Sequence, residues 1–404
     1  MANTLLTINM ITREAVRLFK NSNMFIQEID TQYDDQFAID GAKIGTSLRI
    51  RLPNDYTVRT GSAVSVQDTA EQSITLTLAT QKGVDVSFST QERTMQLDDY
   101  SDRILQPMLN NLAGDVAKDI MTGSEGGVCN FVSNVDANSN IIRPTAETFL
   151  TAGAILNDNS ASQMTRKLVN DPWTEARTVS TLSGLFNPSQ AISDQYRTGK
   201  MKNALGFDWF MDQTVVKHTA GTFSAGGQIN GAGQTGSTIL VSAITGTLKI
   251  GDIITIEGVN AVNRVTKQDT GTLRQFVVTA DAANGATQIS IYPSIVPAIG
   301  GQAVQYQTVT VSPANGAQVV LATKAAEVYR KSIAFTREAI TMATADLVMP
   351  KKVEESARSQ YDGISMRMIT AYVPGTDQLL TRLDVLYGYL YVRPEWACIV
   401  ADKI

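Results

Sequence analysis

One glycine-rich stretch of the chain matches the spacing of a nucleotide-binding loop. Gly231, Gly233 and Gly236 follow the pattern G-x-G-x-x-G, and Asp252 or Glu257 lies about 20 residues later. In a dinucleotide site such glycines follow a strand and open a helix whose N-terminus faces the pyrophosphate. Here the preceding TFSAGGQIN is loop-like and the following STILVSAI is β-branched. We therefore expect a flexible loop and no cofactor site.

Histidine and cysteine are too few for the common metal and nucleophile sites. The chain has one histidine, His218, and two cysteines, Cys129 and Cys398. They form no zinc-ligand cluster, and no G-x-S-x-G turn accompanies His218 to build a serine triad. Because no carboxylate pair stands out either, we assign no catalytic, metal or cofactor-binding residue. His218 is expected to be a surface or interface residue, and the cysteines to be buried free thiols in a reducing compartment.

The composition excludes several classes of protein. The chain has 404 residues, of which 43% are hydrophobic and 18% charged, against about 25% charged in typical domains. It has enough apolar residues for roughly two to three folded domains, and its weakly charged surface suits contact with copies of itself. The net charge of −5 argues against a dedicated nucleic-acid binder. No apolar run is long enough for a membrane helix, and no secretion signal opens the chain.

The first helical pattern lies near the N-terminus, over residues 9–21. Ile11, Ala15, Leu18 and Phe19 fall on one face of a helix with 3.6 residues per turn. A helix this short is marginal by itself, so its apolar face needs a partner surface. That surface belongs either to its own domain or to a neighbouring subunit.

The longest helical pattern runs from Asp98 to Thr122. Apolar residues recur every fourth position, from Tyr100 through Leu112 to Ile120. The aspartates at its start and Gly123 after its end are typical helix-boundary residues. Pro107 removes one backbone donor and is expected to kink this helix near its first third.

Alternating apolar and polar residues predict a long β-hairpin followed by a further strand. The alternating apolar positions are Leu48, Ile50 and Leu52, then Ile74, Leu76 and Leu78, then Val84, Val86 and Phe88. Between the first two runs, the polar stretch DYTVRTGSAVSVQDTAEQ cannot bury a core of its own. The tip is therefore either a mobile flap or a segment that lies on another surface. Lys82 beside Gly83 is interpreted as a turn lysine.

From Gly221 to about Ala317 the chain is rich in glycine, threonine and β-branched residues and is almost free of helical patterns. The predicted strands cover residues 238–243, 252–256, 275–279, 287–292 and 304–311. Short strands separated by turns predict a small β-barrel inserted into the host domain.

The remaining segments surround this β-rich part. Helices are expected over residues 146–157, 191–196 and 327–330, with a turn at 186–188 and strands over 207–216. The stretch SIAFTREAITMATADLVMP is interpreted as strand, helix and closing loop. A meander with a turn at Pro374-Gly375 then ends the chain and returns to the main core.

The order of these parts resembles the major capsid protein of tailed double-stranded-DNA bacteriophages, with its Hong Kong 97-type fold. The segments that carry the resemblance are ITREAVRLFKNSN, RILQPMLNNLAGDVAKDIM, SGLFNPSQAISDQYRTGKMKNALGFDWF, IAFTREAITMATADLVMP and RLDVLYGYLYVRPEWA. The segment LKIGDIITIEGVNAVNRVT resembles the insertion domain of P-twenty-two-like coat proteins.

The resemblance implies an α+β fold in six parts. These are an N-terminal arm (1–45), an E-loop hairpin (46–92), the spine helix of the P domain (93–125), a P/A domain (126–221), an inserted β-barrel domain (222–322) and the completion of the A and P domains (323–404).

The same resemblance implies the function of a major capsid protein, without catalysis or a cofactor. Its copies would assemble as hexamers and pentamers into an icosahedral virion shell, with scaffolding and portal proteins as partners. The shell would form in the host cytoplasm and enclose DNA without sequence-specific binding or contact with a membrane. The hairpin and arm would reach neighbouring subunits, with assembly contacts expected at Arg13, Arg17, Arg49, Arg51, Arg59, Asp68 and Lys82.

Two other functions stay open on the sequence. The chain is either a phage or surface adhesin whose β insert binds glycans, or an enzyme that uses the glycine loop. Closed shells of the purified protein would support the capsid function, whereas a stable monomer or trimer that binds sugar would support the adhesin. Nucleotide binding that is lost in Gly233→Val would support the enzyme.

Overall fold

The computed structural model describes residues 8–33, 47–58, 61–62, 64, 66, 72–89, 105–182, 203–300, 304–350, 353, 355–375 and 378–404. Backbone contacts divide the chain into two units, each assembled from three stretches of sequence. Unit 1 comprises Met1–Arg51, Ser73–Ile120 and Ile340–Val392, and unit 2 comprises Leu52–Gln72, Met121–Ala339 and Arg393–Ile404. Both units combine helices with sheets, which confirms the α+β class.

Six α-helices and 22 strands are described. The helices are α1 (Ile8–Ser22), α2 (Met24–Glu28), α3 (Gln106–Thr122), α4 (Ser124–Gly127), α5 (Ala146–Asp158) and α6 (Pro172–Leu182). The strands are β1 (Asp30–Tyr33), β2 (Ser47–Arg51), β3 (Ser73–Thr77), β4 (Thr80–Ser89), β5 (Asn130–Val132), β6 (Asn134–Val135), β7 (Ile141–Ile142), β8 (Arg166–Asn170), β9 (Asn203–Ala204), β10 (Phe207–Met211), β11 (Lys217–Thr219), β12 (Gly236–Leu240), β13 (Ile253–Val262), β14 (Asp269–Val278), β15 (Gln288–Ile295), β16 (Val319–Leu321), β17 (Val328–Thr336), β18 (Ile340–Ala345), β19 (Glu355–Tyr361), β20 (Ile364–Val373), β21 (Gln378–Tyr391) and β22 (Ala397–Lys403).

Unit 1 is built on a sheet in the order β1-β18-β21-β20-β19, with β4 paired to the first part of β21. Helix α1 packs on β19 and β20 and buries Ala15, Val16 and Phe19 completely. Its Lys20 forms an ion pair with Asp362, which follows β19. The predicted helix is thus confirmed, and its apolar face is covered by the sheet of its own chain.

Helix α3 presents one apolar face to unit 1 and ends where the sequence predicts. Leu109, Leu112 and Val116 are buried along this face, and Thr122 ends the helix just before Gly123. Pro107 stands in the first described turn of α3, which begins at Gln106. The predicted start at Asp98, and therefore the predicted kink, depend on residues outside those described.

The interpretation of Lys82 and Gly83 as a turn is wrong, because both lie within β4. Gly83 pairs with Asp384 in β21. A Cβ at Gly83 would stand only 2.5 Å from an Asp384 carboxylate oxygen and 2.6 Å from the Leu383 carbonyl oxygen. The glycine is therefore needed for a close approach of two strands and not for a reversal of the chain.

Unit 2 contains a second sheet in the order β5-β22-β17-β8-β10-β9, with β11 also paired to β17. Helix α5 begins at a capping box made by Thr145 and Thr148, and its Phe149 packs at 4.7 Å between ring centroids from Trp209 of β10. The predicted helix over 146–157 is confirmed, and of the strands predicted over 207–216 only Phe207–Met211 forms a strand. The predicted turn at 186–188 and helix over 191–196 lie outside the described residues.

The β-rich part forms a five-stranded sheet in the order β12-β15-β14-β13-β16, which we call the five-stranded region (residues 222–325). Four of the five predicted strands are confirmed. The fifth, over 304–311, is wrong: this stretch forms only an isolated bridge at Val309, and β16 takes the place next to β13. Ile229 exchanges backbone hydrogen bonds with the 316–317 segment beside β16, and its neighbours bond to the end of β12. Whether this region is an inserted barrel domain stays a prediction.

Two predicted helices are also wrong. The helix expected at Glu327–Arg330 is the beginning of β17, and the helix expected before Ala345 is a short 3-10 turn followed by β18. Nearly every residue of these two strands is buried. Burial on both sides removes the alternation that marks a half-exposed strand, so periodicity does not distinguish such a strand from a buried helix. The predicted final meander is confirmed only in part: β20 and β21 pair antiparallel around the turn at Pro374-Gly375, whereas β22 lies between β17 and β5 in the sheet of unit 2.

Candidate functional site

The predicted hairpin begins as a two-stranded ribbon in which β2 and β3 pair antiparallel. Leu48 lies opposite Leu76, and Ile50 lies opposite Ile74. This apolar side of the ribbon packs on a small core of unit 1 that includes Ala343. Because side chains alternate along a strand, the other side of the ribbon is polar and exposed.

Two basic residues project from the exposed side of the ribbon. Arg49 and Arg51 are exposed, and the Arg49 Nε donates a hydrogen bond to the Ser73 Oγ at 2.8 Å. Their neighbours on this side, Ser47 and Thr75, are uncharged. The ribbon therefore presents a small positive surface.

The segment that continues from β2 is held by other parts of unit 2. The Asp55 carboxylate lies 3.2 Å from the Arg264 Nη2, and the Asp55 carbonyl accepts from the Gln305 side chain. The Tyr306 hydroxyl lies 3.4 Å from the Asn54 side-chain oxygen. Burial disfavours the charge of Arg264, but Glu395 and Asp55 outweigh it and raise the pKa of the guanidinium. The first residues of the predicted tip therefore have partners in their own chain.

Beyond this anchored segment, the described tip residues are exposed although several are apolar. Val58 is 96% exposed, Val64 81% and Val66 84%. We call these three residues the tip valines. A single exposed valine is ordinary, but three in one short segment offer apolar area that a partner can cover.

The other predicted assembly residues have different surroundings. Arg13 lies on the exposed side of α1, where Arg17 donates from its Nε to the Glu14 carboxylate at 3.0 Å. Arg59 and Asp68 lie outside the described residues. Whether any of these residues contacts a neighbouring subunit stays a prediction.

Lys82 connects β4 to α3 inside unit 1. Its Nζ lies 2.6 Å from the Asp115 carboxylate and 2.5 Å from that of Asp119, and the Tyr387 hydroxyl donates to Asp119 at 2.7 Å. Partial burial opposes both charges, yet the pairing raises the pKa of Lys82 and lowers that of Asp119. The charge of Lys82 is thus already matched within its own chain.

The expectation that His218 lies on the surface is wrong. Its side chain is 4% exposed and stands between two carboxylates, with Nε2 2.9 Å from Asp252 and Nδ1 3.3 Å from Glu125. Lys331 lies on the far side of Glu125, at 3.9 Å. Sequence reasoning missed this cluster because its members come from distant segments. The one local signal was a carboxylate immediately before an apolar strand, in KIGDIITIEG.

The glycine-rich motif is a loop, as predicted. Gly236 opens strand β12 and not a helix, so the backbone geometry of a pyrophosphate site is not formed. The Gln234 side chain closes the loop by donating to the carbonyls of Asn230, Gly231 and Leu240. Asp252, the acidic residue at the fingerprint spacing, is buried against His218.

Cys129 and Cys398 are buried free thiols, as predicted, and burial raises the pKa of both. Within the described ranges, no group of His, Cys, Asp or Glu residues is arranged to hold a metal ion. None of the described helices is long and apolar enough to cross a membrane.

Comparison with known proteins identifies relatives of the whole chain. The family model of the P22 coat protein (gene protein 5) matches residues 1–400. No curated protein sequence matches the chain at a significant level.

Several solved capsid structures are similar over most of the length. The capsid of cyanophage P-SCSP1u matches with a TM-score of 0.48 and 10% identity, covering 94% of this chain and 88% of its own. The structure from Mycobacterium phage Che8 matches at 0.46 and 11%, covering 94% and 90%. The capsid of Ralstonia phage GP4 matches at 0.44 and 8%, covering 93% and 86%.

Proposed function

Because this chain belongs to the P22 coat protein family, we propose that its hairpin makes the contacts through which neighbouring copies join. The protein is a major capsid protein, and many copies of it form the shell of the virion. We further propose how the copies assemble into this shell. Copies close into rings of five and six through repeated contacts, with scaffolding and portal proteins as partners, in the host cytoplasm.

The exposure of the tip valines is the observation that carries this proposal. Burying a valine side chain fully contributes about 1.5–3 kcal/mol, so covering three would favour association by several kcal/mol before the entropy cost of ordering the segment. A modest contact of this kind suits a shell, because it is repeated in every subunit.

The anchored start of the tip supports the same proposal. The ion pair between Asp55 and Arg264 and the contacts of Asn54 and Gln305 order the chain just before Val58. A segment that leaves an ordered base has less conformational freedom to lose on binding. The exposed Arg49 and Arg51 would then give the contact its register against an acidic surface of the neighbour.

The overall charge supports a container function. The net charge of −5 would hold the shell apart from the DNA phosphates, so that the genome is enclosed without sequence-specific binding. The assigned role needs no reaction: each copy acts through its contacts and its shape.

Deletion of residues Gly61–Thr69, bridged by two glycines, tests the proposal. We expect a folded chain, as judged by circular dichroism and a cooperative thermal transition, that forms no shells in negative-stain micrographs. Val265→Ser is the matched control, because Val265 is a 71% exposed valine of another loop, and it should leave shells normal. Closed shells from the deletion variant would refute the role of the hairpin.

A further inference from the structure

The five-stranded region is entered and left through one pair of adjacent backbone segments. The Ala220 N–H donates to the Glu327 carbonyl at 2.8 Å, and the Ala326 N–H donates to the Gly221 carbonyl at 2.8 Å. We call these four residues the neck. The chain crosses the neck once in each direction, and contacts there add to those that hold the region elsewhere, such as the hydrogen bonds between the Gln275 side chain and the Phe131 backbone.

Asp252 ties the neck to the five-stranded region. Its carboxylate is fully buried and accepts hydrogen bonds from the backbone N–H of Gly221 at 3.0 Å and of Lys249 at 2.8 Å. The approach is so close that a Cβ at Gly221 would stand 2.8 Å from the carboxylate and 2.1 Å from the Thr247 carbonyl oxygen. The neck therefore has room for glycine alone at this position.

His218 connects this carboxylate to the rest of unit 2. It lies on β11, two residues before the neck, with Nε2 2.9 Å from Asp252 and Nδ1 3.3 Å from Glu125 of α4. A neutral imidazole has one N–H and one acceptor nitrogen, whereas an ionised carboxylate only accepts. Both contacts are satisfied together only when His218 is an imidazolium that donates from each nitrogen.

The charges around His218 balance in that state. Glu125 and Asp252 supply two negative charges, and His218 and Lys331 supply two positive ones, with the Lys331 Nζ 3.9 Å from Glu125. The Tyr329 ring packs against the imidazole at 5.4 Å between centroids. Loss of the His218 proton would leave one carboxylate facing a nitrogen that cannot donate, and the cost is larger at Asp252, which is fully buried, than at Glu125, which is 21% exposed.

We propose that His218 is a proton-operated latch which, as an imidazolium, fastens the five-stranded region to α4 through Asp252 and Glu125. Loss of the proton breaks one of the two hydrogen bonds and loosens the region at its neck. The latch goes beyond the proposed assembly function and does not depend on the role of the hairpin.

The titration of the surrounding groups agrees with the geometry. Burial lowers the pKa of His218, but hydrogen bonds to Asp252 and Glu125 outweigh it and raise that pKa above its usual value. Lys331 opposes this as a like charge, and burial lowers its own pKa to about 8. Tyr329 stays neutral because burial, with Asp252, Glu125 and Glu327 nearby, raises its pKa.

The two cations affect stability in opposite directions. A raised pKa makes the contribution of His218 complete below the unfolded value and lost as the pH rises through the folded value. A lowered pKa makes the Lys331 charge a cost to the folded state, which is relieved as that charge is lost above about 8. Of these two cations, only His218 therefore contributes a loss of stability as the pH rises.

The single histidine allows a direct test on the full-length chain. After labelling with ¹³C,¹⁵N-histidine, NMR reports one imidazole, and we expect both of its nitrogens to be protonated at neutral pH. In Asp252→Asn, which keeps an acceptor oxygen but removes the charge, the pKa of His218 should fall by about 1–3 pH units. A wild-type spectrum with only one protonated nitrogen at neutral pH would overturn the proposal without any variant.

The effect on stability is tested with His218→Gln and a matched control. Lys217→Gln removes a positive charge from the same strand at an exposed position away from both carboxylates. Between about pH 6 and pH 9, the thermal midpoint of the wild type and of Lys217→Gln should fall more steeply than that of His218→Gln. If His218→Gln shows the same pH profile as the wild type, His218 is only a packing residue and the latch is refuted.

Discussion

The five-stranded region and the hairpin are both β-structures, but their valines have opposite surroundings. Val278 of β14 and Val241 after β12 are completely buried, whereas the tip valines Val58 and Val64 are more than four-fifths exposed. The five-stranded region gathers Phe276, Ile254, Ile291 and other apolar residues into one core. The ribbon of β2 and β3 has a core only where its base lies on the sheet of unit 1.

The number of paired strands explains this difference in burial. Three or more paired strands with an apolar face can be stable independently, while two strands bury too little area to be so. The five-stranded region is therefore complete within one chain, and the hairpin tip is suited to a partner. In the proposed assembly, the first kind of region would supply a stable body and the second would supply contacts.

Phe276→Ala should cause the largest loss of stability. Phe276 is fully buried in the core of the five-stranded region, and loss of the ring should cost about 3–5 kcal/mol of unfolding free energy through the cavity left behind. Urea denaturation measures this cost, with the exposed Val265→Ala as a control that should change stability by less than about 0.5 kcal/mol. An equally small effect of Phe276→Ala would mean that the region has no core of its own.

Leu112→Ala provides the reference for a helix packed in unit 1. Leu112 is 3% exposed on the apolar face of α3, so its truncation should cost about 2–5 kcal/mol. Asn111→Ala is the matched control, because Asn111 is exposed on the same helix. If urea midpoints place the two variants together, the buried face of α3 has been assigned wrongly.

Lys82→Met should have a smaller effect, because the ion pairs of Lys82 with Asp115 and Asp119 are partly exposed. We expect a loss of about 0.5–1 kcal/mol at neutral pH. The lowered pKa of Asp119 makes its contribution present above the usual value of 3.8 and lost as the pH falls through the folded value. Urea titrations at neutral and acidic pH check both statements: the difference between wild type and variant should shrink in acid. A difference that is independent of pH would contradict the pairing.

Val64→Ser combined with Val66→Ser should have the smallest effect on folding but should weaken assembly. Because both side chains are exposed, the unfolding free energy should change by less than about 0.5 kcal/mol. The concentration needed for shell formation, followed by light scattering, should nevertheless rise several-fold, since a neighbour no longer gains from covering them. If the concentration needed for shell formation is unchanged, the tip valines do not take part in the contact between copies.

The helices and strands that could be predicted from the sequence are those whose apolar residues repeat within a few positions along the chain. Helix α1 and helix α3 follow from apolar residues repeated every turn, and β2, β3 and β12 to β15 follow from alternation between turn residues. The polar composition before Ser73 already indicated a tip without a core, and the two cysteines were recognised as buried thiols. These features depend on neighbours within a few positions along the chain, which the sequence displays directly.

Features that depend on residues far apart in the chain could be recognised only in the tertiary structure. Only the beginning of β17 looked helical, because burial on both sides removes alternation, and Lys82 looked like a turn residue because Gly83 is needed against β21. His218 meets Asp252 and Glu125 from segments 34 and 93 residues away. Such contacts form when the sheets bring distant segments together, and the burial that changes the chemistry of these groups arises only then.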